Sequence, residues 1–258
     1  MGAFLDLVLV RPFLTALPML QVQNTRADTS GPLRYLLYGA SGSGKTTAAA
    51  TFPRPLFVDC EGGLLSIRAR GIDFVRCGSA QEVFQAVTLI RAQAGSYDTV
   101  VVDSLTEVAR LVVEATAGRT DRAGRPVTPS LADWSRCVQV IRQLVRAFTA
   151  LPMTVVFTAL PRIVRADSGD VGAVRPWLPG RLADEVAAAM DFVLYLYGQE
   201  DDEPSGERSY RRLFLTAPHK KVFSKDRSGT LPLWVSPTWE ALTEPLRRVP
   251  SVAVAAAA

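Results

Sequence analysis

The chain has 258 residues, of which 48% are hydrophobic, 21% are charged and 8% are aromatic. This composition is typical of a globular protein with a sizeable core, and it excludes disordered, collagen-like and disulfide-scaffold chains. The 29 basic residues exceed the 25 acidic residues to give a formal net charge of +4, which is compatible with a nucleic-acid partner without requiring one.

The first 20 residues are largely apolar, but charged residues and prolines interrupt this hydrophobic run. The interruptions are two charged residues and two prolines: Asp6, Arg11, Pro12 and Pro18. We therefore expect neither a membrane span nor a signal peptide here, since no basic residues precede the run. We predict a peripheral arm or an upstream extension over 1–30, one domain over 31–245, and a mobile alanine-rich tail over 246–258.

From residue 33 onwards, strand-like runs alternate with helical patterns. Strands are predicted at 33–38, 55–59, 73–76, 99–103, 153–159 and 191–197, and helices at 45–51, 79–94 and 131–148. This alternation predicts an α/β fold with a mostly parallel sheet and helices on both faces. Two more runs, 208–216 and 220–223, predict an antiparallel C-terminal edge.

A phosphate-binding motif follows the first predicted strand. The pattern G-x-x-x-x-G-K-[ST] is matched by Gly39, Ala40, Ser41, Gly42, Ser43, Gly44, Lys45 and Thr46, and Thr47 comes next. Glycines let consecutive backbone N–H groups surround a phosphate without Cβ clashes. Lys45 supplies positive charge to the β- and γ-phosphates, and the Thr46 hydroxyl binds Mg²⁺. The sequence therefore predicts a nucleotide site formed by residues 39–47.

Two carboxylates follow predicted strands. Asp103 ends an apolar strand, as a Walker B residue that holds Mg²⁺ does. Ser104 comes next, where AAA+ proteins usually place a glutamate that activates water. Glu61, which follows the strand at 55–59, is predicted to polarise the attacking water, with an exposed loop carboxylate as the alternative. Glu107 lies nearby, but Ser104 to Glu107 also forms a capping-box pattern.

Other chemistry is limited by the residue types present. One histidine, His219, and three cysteines without CxxC spacing exclude a histidine metal site, a serine–histidine–aspartate triad and a zinc ribbon. The odd number of cysteines is typical of a reducing compartment, and we predict a cytoplasmic location. Hydrolysis would then depend on carboxylates, lysine, arginine and phosphate-bound magnesium.

The order of these motifs resembles that of RecA-like ATPases. The phosphate loop, a strand ending in Asp59-Cys60-Glu61, a long helix and an apolar strand ending in Asp103-Ser104 follow one another within residues 33–235. The chain looks most similar to phage RecA-like nucleotide-binding proteins, some of which anneal single-stranded DNA during recombination. The resemblance implies a RecA-like ATPase domain over 31–245 that binds ATP and Mg²⁺, with Lys45 and Glu61 as catalytic residues. It also implies a ring or filament of identical subunits, a single-strand-binding protein as partner, no membrane, and the cytoplasm of a bacterial host.

A basic segment lies near the C-terminus, where three of only four lysines fall within residues 220–225. It resembles the basic pair that RecA-like and KaiC-like subunits send into a neighbour's ATP site. The resemblance implies that Lys225 and Arg227 act in trans on the γ-phosphate. The alternative is a solvated basic edge strand that discourages aggregation.

A DNA-binding surface is predicted between residues 161 and 181. Its members are Arg162, Arg165, Arg175 and Trp177, because arginines contact phosphates and an aromatic ring stacks on a base. The position matches a DNA loop of RecA-like proteins, and the alternative is an ordered loop with Trp177 in the core. Arginines 119, 122 and 125 form a second, weaker candidate surface.

Taken with these motifs, the resemblance implies an ATPase that acts on single-stranded DNA in recombination or strand annealing. Two alternatives stay open: a helicase-type motor or helicase-loader ATPase of the same fold, and a nucleotide-gated DNA-binding module with little hydrolysis. The γ-phosphate sensor is Thr158 or Arg162, or is absent, since the strand at 153–159 is followed by Leu160-Pro161.

Overall fold

A computed structural model describes residues 31–118, 127–164, 172–202 and 208–248 of the chain. The predicted arm at 1–30, most of the predicted tail, Arg165, and the arginines at 119, 122 and 125 lie outside these ranges. In the described ranges, no helix is long and apolar enough to cross a membrane.

The main sheet is mostly parallel. Its strands are β1 (Arg34–Tyr38), β2 (Pro55–Asp59), β3 (Phe74–Arg76), β4 (Thr99–Asp103), β5 (Thr154–Ala159), β8 (Phe192–Asp202), β9 (Arg208–Leu215), β10 (Lys225–Asp226) and β11 (Trp234–Val235). They lie in the order β11-β9-β8-β1-β5-β4-β2-β3, with β10 on β8. The strands from β8 to β3 in this order are parallel, whereas β9, β10 and β11 are antiparallel to their neighbours. A separate two-stranded sheet pairs β6 (Pro161–Ile163) with β7 (Val174–Pro176).

Helices cover both faces of the main sheet. They are α1 (Lys45–Ala49), α2 (Ala80–Ala92), α3 (Leu105–Ala117), α4 (Leu131–Thr149), α5 (Leu182–Ala189) and α6 (Trp239–Arg247), together with a 3-10 helix at Leu64–Arg70. Successive side chains of β4 point to opposite faces of the sheet, so they belong to two separate hydrophobic cores. Val100 and Val102 pack with α2 to α5, whereas Val101 packs with α1, the 3-10 helix and α6. The predicted α/β fold, with helices on both faces and an antiparallel C-terminal edge, is confirmed.

The edge differs from the prediction in one segment. Lys220 and Lys221 have positive φ angles of 43° and 67°, so they form a turn where a strand is predicted. Val222 then bridges Val174 instead of joining the main sheet. The prediction of a strand at 220–223 is wrong because an extended strand cannot contain two successive residues in the left-handed region. The strands β10 and β11 complete the edge instead.

Candidate nucleotide site and neighbouring basic surface

The predicted nucleotide-binding residues meet at one edge of the sheet. The phosphate loop, residues 39–44, follows β1, and α1 begins at Lys45. Asp103 is the last residue of β4, and its register partner Asp59 ends β2, two residues before Glu61. Parallel strands place their carboxyl ends at the same edge, and therefore residues far apart in sequence share one site.

The loop concentrates polar groups suited to an anion. Lys45 is only 9% exposed, and its Nζ donates to the carbonyl oxygens of Gly39 at 2.9 Å and Ala40 at 2.8 Å. Burial lowers the pKa of the Lys45 ammonium, while the carboxylates of Asp103 and Glu61 oppose this change. Ser43 Oγ is buried and has no hydrogen-bond partner in the described part of the chain. A buried cation beside an unsatisfied hydroxyl fits a phosphate group.

Asp103 is held by two hydroxyl groups. Thr46 Oγ1 donates to Asp103 Oδ2 at 2.7 Å, and Thr158 Oγ1 donates to Asp103 Oδ1. The two predicted magnesium ligands, Thr46 and Asp103, are therefore in direct contact, and both offer the oxygen atoms that Mg²⁺ prefers. Of the two candidate γ-phosphate sensors, Thr158 is buried against Asp103, whereas Arg162 is exposed on β6.

Glu61 is linked to the same site through Ser104. The Ser104 hydroxyl donates to Glu61 Oε1 and also accepts the backbone N–H of Glu107 at 3.2 Å, as the N-cap of α3. The Glu107 carboxylate instead accepts hydrogen bonds from Arg110, at 2.9 Å. Ser104 thus fulfils the capping role expected of it and also orients Glu61, whereas Glu107 is engaged along its own helix.

Asp59 shapes the turn that carries Glu61. Its buried carboxylate accepts the N–H of Gly62 at 2.7 Å through Oδ1 and a hydrogen bond from Arg76 at 3.1 Å through Oδ2. The sequence motifs predict no supporting role for Asp59 and no contact of Ser104 with Glu61. The sequence signal that could have predicted these roles is position, since both polar residues lie at the carboxyl ends of buried strands.

The basic pair near the C-terminus contacts a helix of its own subunit. Lys225 Nζ donates to the carbonyls at the end of α5, at 3.1 Å from Ala187 O, 3.1 Å from Ala188 O and 2.7 Å from Met190 O. Arg227 donates to Ala188 O at 2.9 Å and forms an ion pair with Asp191 at 2.8 Å. Burial and the Arg227 charge lower the pKa of Lys225, while Asp191 opposes the shift. The side chains of Lys225 and Arg227 lie on the same side of their segment, as expected for alternate residues. Their action in trans stays a prediction.

Two of the predicted DNA-binding arginines lie side by side on the two strands of the small sheet. Arg162 on β6 pairs in register with Arg175 on β7. Arg175 forms an ion pair with Asp184, and its guanidinium lies 5.6 Å from the ring centroid of Phe223. Part of the Arg175 charge is thus already balanced within the chain, whereas Arg162 projects from an exposed position.

Trp177 is 50% exposed, so it is not a core residue. Its backbone N–H donates to Leu160 O at 2.7 Å, and its carbonyl accepts from Thr106 Oγ1 at 3.3 Å. These contacts anchor the backbone of Trp177 next to the end of β5 and the start of α3. The ring remains available for contact with another molecule.

A family model and a solved structure match this chain. A family model described as an AAA domain matches residues 31–228. A solved structure of a KaiC-like protein from the hyperthermophilic archaeon Pyrococcus horikoshii OT3 shares 16% sequence identity with this chain. That match covers 74% of this chain and 81% of the other, with a TM-score of 0.44. No curated protein matches the sequence.

Proposed function

The chain belongs to the AAA domain family, and we propose that it is an ATPase that binds ATP with Mg²⁺ and acts on single-stranded DNA in recombination or strand annealing. One observation carries the nucleotide-binding part of this proposal. Thr46 Oγ1 lies 2.7 Å from Asp103 Oδ2. The preceding residue, Lys45, is buried, and its Nζ donates a hydrogen bond to a carbonyl of the phosphate loop. The contact between Thr46 and Asp103 supports the proposal because it joins the residues proposed for the phosphate side and the metal side of the site, which are 57 residues apart in sequence.

Residues 39–47 would hold the triphosphate, and Thr46 and Asp103 would hold the metal. The backbone amides of the loop would bind phosphate oxygens, and the Lys45 ammonium would leave the loop carbonyls for the β- and γ-phosphates. Mg²⁺, when bound with the nucleotide, would neutralise charge that develops on the phosphates. The hydrogen bond from Thr158 to the Asp103 carboxylate supports this role, because it fixes the orientation of the carboxylate.

Glu61 is the proposed general base for hydrolysis of ATP to ADP and phosphate. Its Oε1 accepts the Ser104 hydroxyl, and its Oε2 is the atom that would accept a proton from the attacking water. The oxygen of that water would bond to the γ-phosphorus as the bond to the ADP oxygen breaks. Ser104 would act as a positioning residue because it touches Glu61 and not the reacting atoms.

The small sheet and Trp177 support single-stranded DNA as the partner. Exposed Arg162 could contact a backbone phosphate, and the half-exposed Trp177 ring could stack on a base without sequence preference. The small sheet begins at Pro161, two residues after the end of β5, whose Thr158 contacts Asp103. A change at the metal site would therefore have a short path to the proposed DNA surface.

A second candidate is a nucleotide-gated DNA-binding module with little hydrolysis. Two features of Ser104 favour this candidate. Ser104 occupies the position at which AAA+ proteins usually have a glutamate that activates water, and its hydroxyl is hydrogen-bonded to one oxygen of Glu61. Turnover distinguishes the candidates, since both would bind ATP, but only an ATPase would release phosphate in proportion to time.

The test is the steady-state rate of phosphate release with and without single-stranded DNA over a series of salt concentrations. We expect stimulation that declines steeply with salt, because each phosphate contact adds about −0.7 to the slope of log affinity against log salt. The Arg162→Ala variant should make the slope of log DNA affinity against log salt shallower by about 0.7. Its rate of phosphate release without DNA should be unchanged. ATP binding without turnover would favour the gated module, and absence of DNA binding at low salt would contradict the DNA proposal.

A further inference from the structure

The hairpin of β8 and β9 passes beside the phosphate loop. Pairing between β1 and β8 ends at Tyr38 and Tyr195, and β8 continues beyond the end of β1. In this extension Gly198 pairs with Arg212 of β9. The hairpin thus brings a cationic residue from the C-terminal half of the domain to the nucleotide-binding edge.

Arg212 lies against the last glycine of the loop. A Cβ atom on Gly44 would lie 3.1 Å from Arg212 Cδ and 3.2 Å from Nε. Gly44 also has a φ of +101°, a conformation that favours glycine. The side chain of Arg212 therefore packs on the backbone immediately before Lys45, and this contact is separate from the Lys225 and Arg227 pair.

Tyr210 holds the guanidinium in place. The Arg212 Cζ atom lies 4.7 Å from the centroid of the Tyr210 ring, because alternate residues of β9 project to the same face. The ring in turn lies over Gly198, where a Cβ would overlap the Tyr210 hydroxyl. Gly198, Tyr210 and Arg212 together form a stack, which we call the Arg212 stack, that presents a planar cation to the loop.

We infer that Arg212 binds the α- and β-phosphates of the nucleotide held by its own subunit, an inference that rests on the proposed nucleotide site. A guanidinium can contact two phosphate oxygens at once, and the Tyr210 ring pre-orients its plane. The loop amides beside Gly44 are those that surround the α- and β-phosphates. Arg212 should therefore contribute equally to the affinities for ADP and ATP, with no role in cleaving the γ-phosphate.

The experiment measures affinities for ADP–Mg²⁺ and ATP–Mg²⁺ by titration calorimetry for the wild type, Arg212→Ala, Arg212→Lys and the control Arg211→Ala. The control removes the same charge from the neighbouring position of β9, whose side chain projects to the opposite face. Arg212→Ala should weaken both nucleotides about 10- to 100-fold, since hydrogen bonds to charged groups are of that strength. Arg212→Lys should recover only part of the loss, and Arg211→Ala should stay within about twofold of the wild type.

The melting temperature without nucleotide completes the test. It should be nearly unchanged in Arg212→Lys, which keeps the charge while lowering affinity, so that a loss of affinity is not a loss of fold. Wild-type affinity in Arg212→Ala, a loss confined to ATP, or an equal loss in Arg211→Ala would each overturn the Arg212 assignment alone. A wild-type protein that binds neither ADP nor ATP would overturn the proposed function and the Arg212 assignment with it.

Discussion

Replacement of Glu61 by glutamine tests the proposed general base with little change in shape. The glutamine oxygen can still accept the Ser104 hydroxyl, and Asp103 with its two hydroxyl partners is untouched. Nucleotide affinity should therefore be preserved. What is lost is an atom that takes a proton from water, a contribution that is commonly about 10²- to 10⁴-fold in rate. We expect kcat to fall at least about tenfold, equivalent to about 1.4 kcal/mol in the barrier.

The assay is phosphate release at saturating ATP–Mg²⁺, with ADP affinity measured in parallel by calorimetry. Glu107→Gln is the matched control, because Glu107 is a neighbouring carboxylate whose hydrogen bonds go to Arg110. That variant should retain a kcat within about twofold of the wild type, as for a carboxylate with no catalytic role.

An unchanged kcat in Glu61→Gln would remove Glu61 from the mechanism. A slow Glu107→Gln variant beside a fast Glu61→Gln variant would transfer the role of base to Glu107. A loss of ADP affinity in Glu61→Gln would mean that the carboxylate supports binding, which the contact with Ser104 does not explain.

Four other predictions concern binding, assembly and stability. Lys45→Ala should abolish nucleotide binding in calorimetry, because it removes the buried cation of the loop, and retained affinity for ATP–Mg²⁺ would contradict the site. Lys45→Ala subunits mixed with Lys225→Ala/Arg227→Ala subunits should recover ATPase activity if sites are shared, whereas no recovery at any ratio would argue against trans action. The double variant should also melt at a lower temperature in circular dichroism, since both cations bind the carbonyl end of α5. Phe148→Ala should cost about 3–5 kcal/mol in urea unfolding because its buried ring packs edge-on to Phe157, and a change under about 1 kcal/mol would refute that packing role.

Local patterns in the sequence are enough to predict which residues form the central part of the candidate site. The phosphate loop is a continuous motif, Asp103 ends a buried strand, and Glu61 follows another. Since parallel strands end at a common edge, position along the chain alone predicts that Lys45, Thr46 and Asp103 lie together. The contact between Thr46 and Asp103 agrees with that expectation.

The remaining contacts join residues whose spacing in sequence carries no signal. Thr158 reaches Asp103 because β5 lies beside β4, and Arg212 reaches Gly44 because β9 follows β8 past the end of β1. Lys225 meets the end of α5 because β10 pairs with β8. Such contacts depend on strand order and on how far each strand extends beyond its neighbour. Both are set by packing across the whole sheet, so no local run of residues specifies them.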